Sequence, residues 1–227
     1  MKGLFVPGLC CRSDIWEHAP ARLPGIEIIA VDWPWPERLH DYDDAAAWLA
    51  GEIDTHRPQF VVGHSFGGVV TLHRCGRMTA PPEWRVVIVD TFLVEPHPFF
   101  RNHVWGPAPA LRERIATMLD EERSRFPTLR EVASAEDPPE WRERALAIGA
   151  AYIYGGRSGE HAPESLGDMA GVPAGAGHDV RAVPGASHFP MLERPDAFFS
   201  TLIDVLRRDP TPSKRCGSDR NAPPGPA

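Results

Sequence analysis

Lysine is almost missing from this 227-residue sequence: Lys2 and Lys214 stand alone, and Arg supplies the rest of the 24 basic residues. Against 31 acidic residues this leaves a formal net charge of −7, which argues against nucleic acid or an anionic membrane as the main partner. Cysteine is scarce as well. Cys10 and Cys11 are adjacent, Cys75 lies in a helical stretch and Cys216 near the end, a set too small and too oddly placed for a disulfide framework. No C-x-x-C pair or His/Cys cluster suggests a metal. Apolar runs stay short, far from the ~18 residues of a membrane-spanning helix. The first run breaks at Pro7-Gly8, and Leu9 precedes Cys10 where a lipoprotein cleavage site wants a small residue. The start therefore reads as a strand, not a targeting signal, and the expected location is the cytoplasm.

What is present is an ordinary globular composition, 42% hydrophobic and 24% charged, in a length that fits one domain with room for a full core. Short apolar runs alternate with helical patterns, the layout of an α/β protein with a parallel sheet wrapped by helices. Strands are expected at Gly3–Val6, Glu27–Val31, Phe60–Val62, Val86–Asp90, Ala151–Tyr154 and Asp179–Val183. Helical spacing marks Asp43–Ile53, Gly67–Arg77 and Asp196–Leu206, with Asp41 or Asp43 as a cap for the first. Residues 95–149 hold no convincing strand but two or three amphipathic pieces, Leu111–Arg123, Thr128–Ser134 and Glu140–Ile148. Such an insertion predicts a small helical lid. A domain over 1–207 and a disordered tail over 208–227 complete the expected organisation.

The most informative stretch is Val61-Val62-Gly63-His64-Ser65-Phe66-Gly67-Gly68. It is a G-x-S-x-G pattern between an apolar strand and a helical run. A serine on a tight strand-to-helix turn projects above the sheet, and small residues two before and two after prevent clashes. The Phe66 N–H then points to where an oxyanion would form. A glycine-rich turn with a helix-capping serine is the blander reading, and His64 reads as structural. Downstream, Gly185-Ala186-Ser187-His188-Phe189-Pro190 sets a histidine in a loop after the last strand. A general base needs such a loop to fold back over the nucleophile. Among ten histidines, His188 has the right chain order.

These residues make the chain resemble the α/β-hydrolase superfamily from about Lys2 to Leu206. The opening Phe5-Val6-Pro7-Gly8-Leu9-Cys10 with Trp16 is similar to a bacterial subgroup whose first-strand loop reads Pro-Gly-Leu. The resemblance implies a second oxyanion donor at the Leu9 N–H. It also implies a sheet of about six strands, the chain starting at the third of the usual eight. Val31-Asp32-Trp33 matches the next core strand, but Pro34-Trp35-Pro36 replaces the family's usual glycine-rich continuation. Cys10, beside the loop, reads better as a small buried residue than as a nucleophile.

The acid partner of His188 is left open. Most such hydrolases carry it after the penultimate strand, where Tyr154-Gly155-Gly156-Arg157-Ser158-Gly159-Glu160 offers only Glu160. A minority use an aspartate at the position of Asp90, which ends the strand beginning at Val86. The expected function is cofactor-free, metal-free hydrolysis of a small-to-medium carboxylic ester, thioester or lactone through a Ser65 acyl-enzyme. Its partner would be a small-molecule acyl substrate, with no nucleic acid or membrane involved. Trp33, Trp35 and Trp105 are candidates for an apolar substrate wall, although core packing suits any one of them. The same constellation also serves C–C hydrolases and cofactor-free lyases, and the scaffold alone could serve a non-catalytic binding protein.

Overall fold

A computed structural model describes residues 1–34, 39–92, 109–125, 147–156, 167, 171–172 and 178–208. Six parallel strands form one sheet: β1 (Lys2–Val6), β2 (Glu27–Ala30), β3 (Phe60–His64), β4 (Arg85–Val89), β5 (Ala151–Gly155) and β6 (Asp179–Val183), in the order β2-β1-β3-β4-β5-β6. Each expected strand is found, with ends moved by about two residues at most. The four inner strands are apolar and almost wholly buried, whereas edge strands β2 and β6 are mostly half-exposed. Burial on both faces is what produced the unbroken apolar runs.

Helices cover the two faces according to the two-residue period of the strands. The described helices are α1 (Ala19–Arg22), α2 (Tyr42–His56), α3 (Phe66–Gly76), α4 (Pro109–Arg125), α5 (Pro190–Glu193) and α6 (Pro195–Arg207). Leu4, Val6 and Val61 pack with Ala45 and Leu49 of α2 and Val70 of α3. Phe5, Phe60 and Val62 point the other way, into a cluster with Phe198, Phe199 and Leu202 of α6. Of the two candidate caps for α2, Asp41 takes the role, its carboxylate accepting from the Asp44 N–H at 2.8 Å.

Helix α4 occupies the first helical piece expected in the insertion. Its Ile115 and Met118 are buried with Cys11 and Ile15. Arg114 makes a two-point pair with Glu17 (2.5 and 3.0 Å), and Arg12 reaches Glu121 at 2.8 Å. These ion pairs are partly exposed and worth little individually, so the apolar contacts dominate the docking. The pieces Thr128–Ser134 and nearly all of Glu140–Ile148, and the tail from 209, lie outside the described residues. No helix among the described residues is long and apolar enough to cross a membrane.

The strand order positions the site. From β1 the chain moves outward to β2, then returns to place β3 on the other side of β1. Such a reversal leaves a crevice at the carboxyl ends of the two central strands. The loop after Val6 and the turn after His64 open into it.

Candidate active site

Ser65 stands between β3 and α3 with φ 51° and ψ −118°. A side-chain-bearing residue in that region costs on the order of 1–3 kcal/mol and persists only where its surroundings impose it. Here they do. The Ser65 N–H donates to the Val89 carbonyl (2.9 Å), and the Ser65 carbonyl accepts from Gly68 (2.9 Å) and Val69 (3.1 Å) N–H groups. The Thr91 hydroxyl lies 3.0 Å from that same carbonyl. A Cβ on Gly67 would overlap the Pro7 carbonyl, so only glycine lets the β1 loop lie against this turn.

That loop carries Leu9. The Gly8 carbonyl accepts from the Cys11 N–H at 3.1 Å and from the Trp33 indole N–H at 2.9 Å. Cys10 sits between them at φ 55°. Both cysteines are buried, and burial pushes the Cys11 thiol well above its ordinary range, which makes it a poor nucleophile. Gly8 of this loop lies against the nucleophile turn, where a Cβ on it would stand 3.3 Å from Ser65 Cβ, and Phe66 begins α3 directly after Ser65. The N–H groups of a helix's first turn have no intrahelical acceptor and suit a developing anion. Trp33, expected on a substrate wall, is 6% exposed and packs between Trp48 and Phe66. Its indole bears on the loop from behind.

His188 Nδ1 lies 2.7 Å from Asp90 Oδ2. The other carboxylate oxygen accepts from the Gly155 N–H at 2.9 Å. Asp90 is fully buried and has φ 41°, a left-handed conformation that aspartate tolerates better than most residues. The sequence left two carboxylates open; this geometry brings Asp90 to the imidazole, while Glu160 lies outside the described residues, as do Trp35 and Trp105. With its Nδ1 proton held by a carboxylate, the ring keeps Nε2 as the basic nitrogen.

Two further groups shape the His188 loop. The Glu193 carboxylate accepts from the Ser187 N–H (2.9 Å), the Ser187 hydroxyl (2.7 Å) and the Phe189 N–H (3.0 Å), clamping both neighbours of His188. The sequence reading passed Glu193 over; its signal was an acid following Pro190 in a first helical turn, placed to reach back to unpaired N–H groups. On the sheet side, a Cβ at Gly155 would run into the Ser187 carbonyl. Gly155→Ala should therefore push the loop away from β5 and strain the Asp90 contact. Urea unfolding should show a loss of about 2–4 kcal/mol.

His64, next to Ser65, is fully buried and its Nε2 donates to the His188 carbonyl at 2.8 Å. Burial, reinforced by the nearby His188 charge, pushes it down to about 3. An unfolded histidine takes up its proton near pH ~6.5. The stability owed to keeping this ring neutral is thus complete above about pH 6.5 and is lost as pH falls towards 3. Between about pH 7.5 and pH 5 wild type should lose about 2 kcal/mol more than His64→Gln, read from urea unfolding at the two values.

The profile of the alpha/beta hydrolase family matches residues 4–201. The chain belongs to the alpha/beta hydrolase family. Solved structures agree on the fold of this hydrolase. An esterase from Exiguobacterium antarcticum superposes with a TM-score of 0.70 at 14% identity, covering 92% of each chain. An N-acyl homoserine lactonase complexed with N-butanoyl homoserine gives 0.64 at 16% identity over 91% of this hydrolase and 88% of that chain. A hydrolase from Pseudomonas aeruginosa gives 0.60 at 17% identity, over 91% and 90%. No curated protein sequence matches this hydrolase significantly.

Proposed function

We propose that this hydrolase cleaves small-to-medium carboxylic esters, thioesters or lactones through an acyl-enzyme on Ser65. The observation that carries the reading is the 2.7 Å contact between the buried Asp90 carboxylate and the half-buried His188, on loops at the carboxyl ends of the strands, where the strained Ser65 turn also lies. Residues of the three types needed for nucleophilic acyl transfer follow the carboxyl ends of β3, β4 and β6.

Ser65 Oγ attacks the substrate carbonyl carbon while its proton passes to His188 Nε2. The tetrahedral oxyanion accepts from the Leu9 and Phe66 N–H groups. When it collapses, the bond to the leaving alkoxide or thiolate breaks, and His188 returns the proton to that group. Water then adds to the acyl-enzyme, giving a proton to His188. The second collapse releases the carboxylic acid and returns that proton to Ser65. Asp90 stays ionised throughout, holding the ring's tautomer and stabilising the imidazolium; Glu160 takes no part. Trp33 acts through Gly8 by bracing the loop behind the oxyanion. No metal or organic cofactor enters these steps, and the partner is a small-molecule acyl substrate in the cytoplasm.

Lactones belong in the proposal because a lactonase shares the fold and the chemistry of ring opening is the same. The test is turnover of p-nitrophenyl acetate, butyrate and octanoate and of an N-acyl homoserine lactone, with and without prior treatment by a fluorophosphonate. The expected result is saturable hydrolysis of at least one substrate, abolished by one equivalent of the inhibitor. Turnover indifferent to the inhibitor, or none on any substrate, would overturn the reading.

A further inference from the structure

We infer that His64, the variable residue inside the G-x-S-x-G turn, is a positioning residue that holds the backbone of His188 so that the base stays aimed at Ser65. The inference rests on the acyl-transfer reading above and assigns a role within that same site.

The geometry is specific. His64 ends β3, and its Nε2 meets the His188 carbonyl at 2.8 Å, bridging 124 residues of sequence. A carbonyl can only accept, so the proton sits on Nε2. Nδ1 is then an unprotonated acceptor, and it is buried with no hydrogen-bond partner among the described residues. It faces the oxyanion loop closely enough that a Cβ on Gly8 would stand 2.9 Å from it. An orphaned buried acceptor costs about 1–3 kcal/mol. A residue serving only to fill this space would do better without ring nitrogens, since the surroundings are Trp16 and Phe189. What the imidazole adds is one donor, delivered to the base.

The ring is also suited to hold through the cycle. Its centroid lies 4.8 Å from that of His188, so the imidazolium formed during catalysis faces a neutral neighbour. Among the described residues, the titratable groups acting on it are His188 and, beyond it, Asp90; burial keeps His64 neutral, its one proton on Nε2. Its bond to the His188 carbonyl therefore survives both halves of the reaction. Together with the Glu193 clamp on the flanking N–H groups, it fixes the backbone of the base on both sides.

The test compares His64→Leu, which removes the donor, with His64→Gln, whose amide can reach the Nε2 position. For His64→Leu the expected result is a kcat reduced about 10- to 100-fold at unchanged KM, the scale of an ångström of misplacement. Thermal unfolding near neutral pH should stay within a few degrees of wild type, because the orphaned nitrogen leaves with the donor. The downfield proton resonance of the His188–Asp90 bond should broaden or vanish. His64→Gln should retain kcat within about threefold, along with that resonance. If His64→Leu does not fold, His64→Asn replaces it: its amide ends near Nδ1 and falls short of the carbonyl, so the same loss is expected. Full kcat and an intact resonance without the donor, or equal losses in the Leu and Gln variants, would overturn the inference. A Ser65→Ala variant run alongside keeps the two failures apart, since its retained activity would sink the acyl-transfer reading instead.

Discussion

Ser65→Ala should bring ester turnover down by about 10⁶-fold, to the level of the uncatalysed reaction assisted only by binding and the oxyanion donors. The fold should survive, because every polar contact described for Ser65 runs through its backbone N–H and carbonyl. A companion substitution separates chemistry from strain. Ser65→Gly removes the same hydroxyl but also relieves a backbone held at φ 51° and ψ −118°, where glycine is at ease. That variant should be equally inactive yet more stable than Ser65→Ala by about 1 kcal/mol, read from urea unfolding. Inactivity in both variants, with the glycine variant the more stable, would show that the turn's strain is maintained for the hydroxyl's position. Retained turnover in either would remove Ser65 from the mechanism.

The second large effect concerns the acid. Asp90→Asn keeps the shape of a fully buried side chain but replaces the oxygen facing His188 Nδ1 by an amide, or forces the ring into the wrong tautomer. The expected loss in kcat is about 10⁴-fold. Glu160→Gln should leave kcat within about twofold, because the Nδ1 proton is already committed at 2.7 Å to Asp90. Steady-state kinetics of the two variants, side by side, decide the assignment. A larger loss from Glu160→Gln than from Asp90→Asn would reverse it.

That choice shows where sequence reading reaches its limit. The six strands were legible because each is a short apolar run buried on two faces, and a helix period between them is hard to mistake. Ser65 and His188 stand out as candidates because chain order and local context mark them: a glycine-flanked serine after one strand and a histidine after the last. Asp90 and Glu160 could not be separated, since each merely follows a strand, β4 or β5. What brings Asp90 to the imidazole is tertiary: the left-handed turn at Asp90 and the Gly155 N–H that bonds its carboxylate. Neither leaves a periodic trace. Trp33 was read as a substrate wall, yet its indole is turned inward to the Gly8 carbonyl. Aromatic residues near a site look alike in sequence whether they face ligand or loop.

His64 and Glu193 illustrate the same limit. His64 read as structural because it fills the motif's variable position, and its contact with the His188 carbonyl joins opposite ends of the chain. Glu193 lies five residues from His188, yet its three bonds appear only once the loop has folded around it. Both act on backbone atoms, and backbone contacts are indifferent to the identity of the residue they hold. A motif search centred on reacting side chains passes over such groups.

The most direct measurement is mass spectrometry of the hydrolase quenched in acid during turnover of p-nitrophenyl butyrate, with the adduct mapped by peptide sequencing. A butyryl group on Ser65, absent from Ser65→Ala and formed far more slowly in Asp90→Asn, is the expected result. A butyryl group on Cys10 or any other residue, or steady turnover with no covalent species and full activity in Ser65→Ala, would contradict the serine acyl-transfer mechanism.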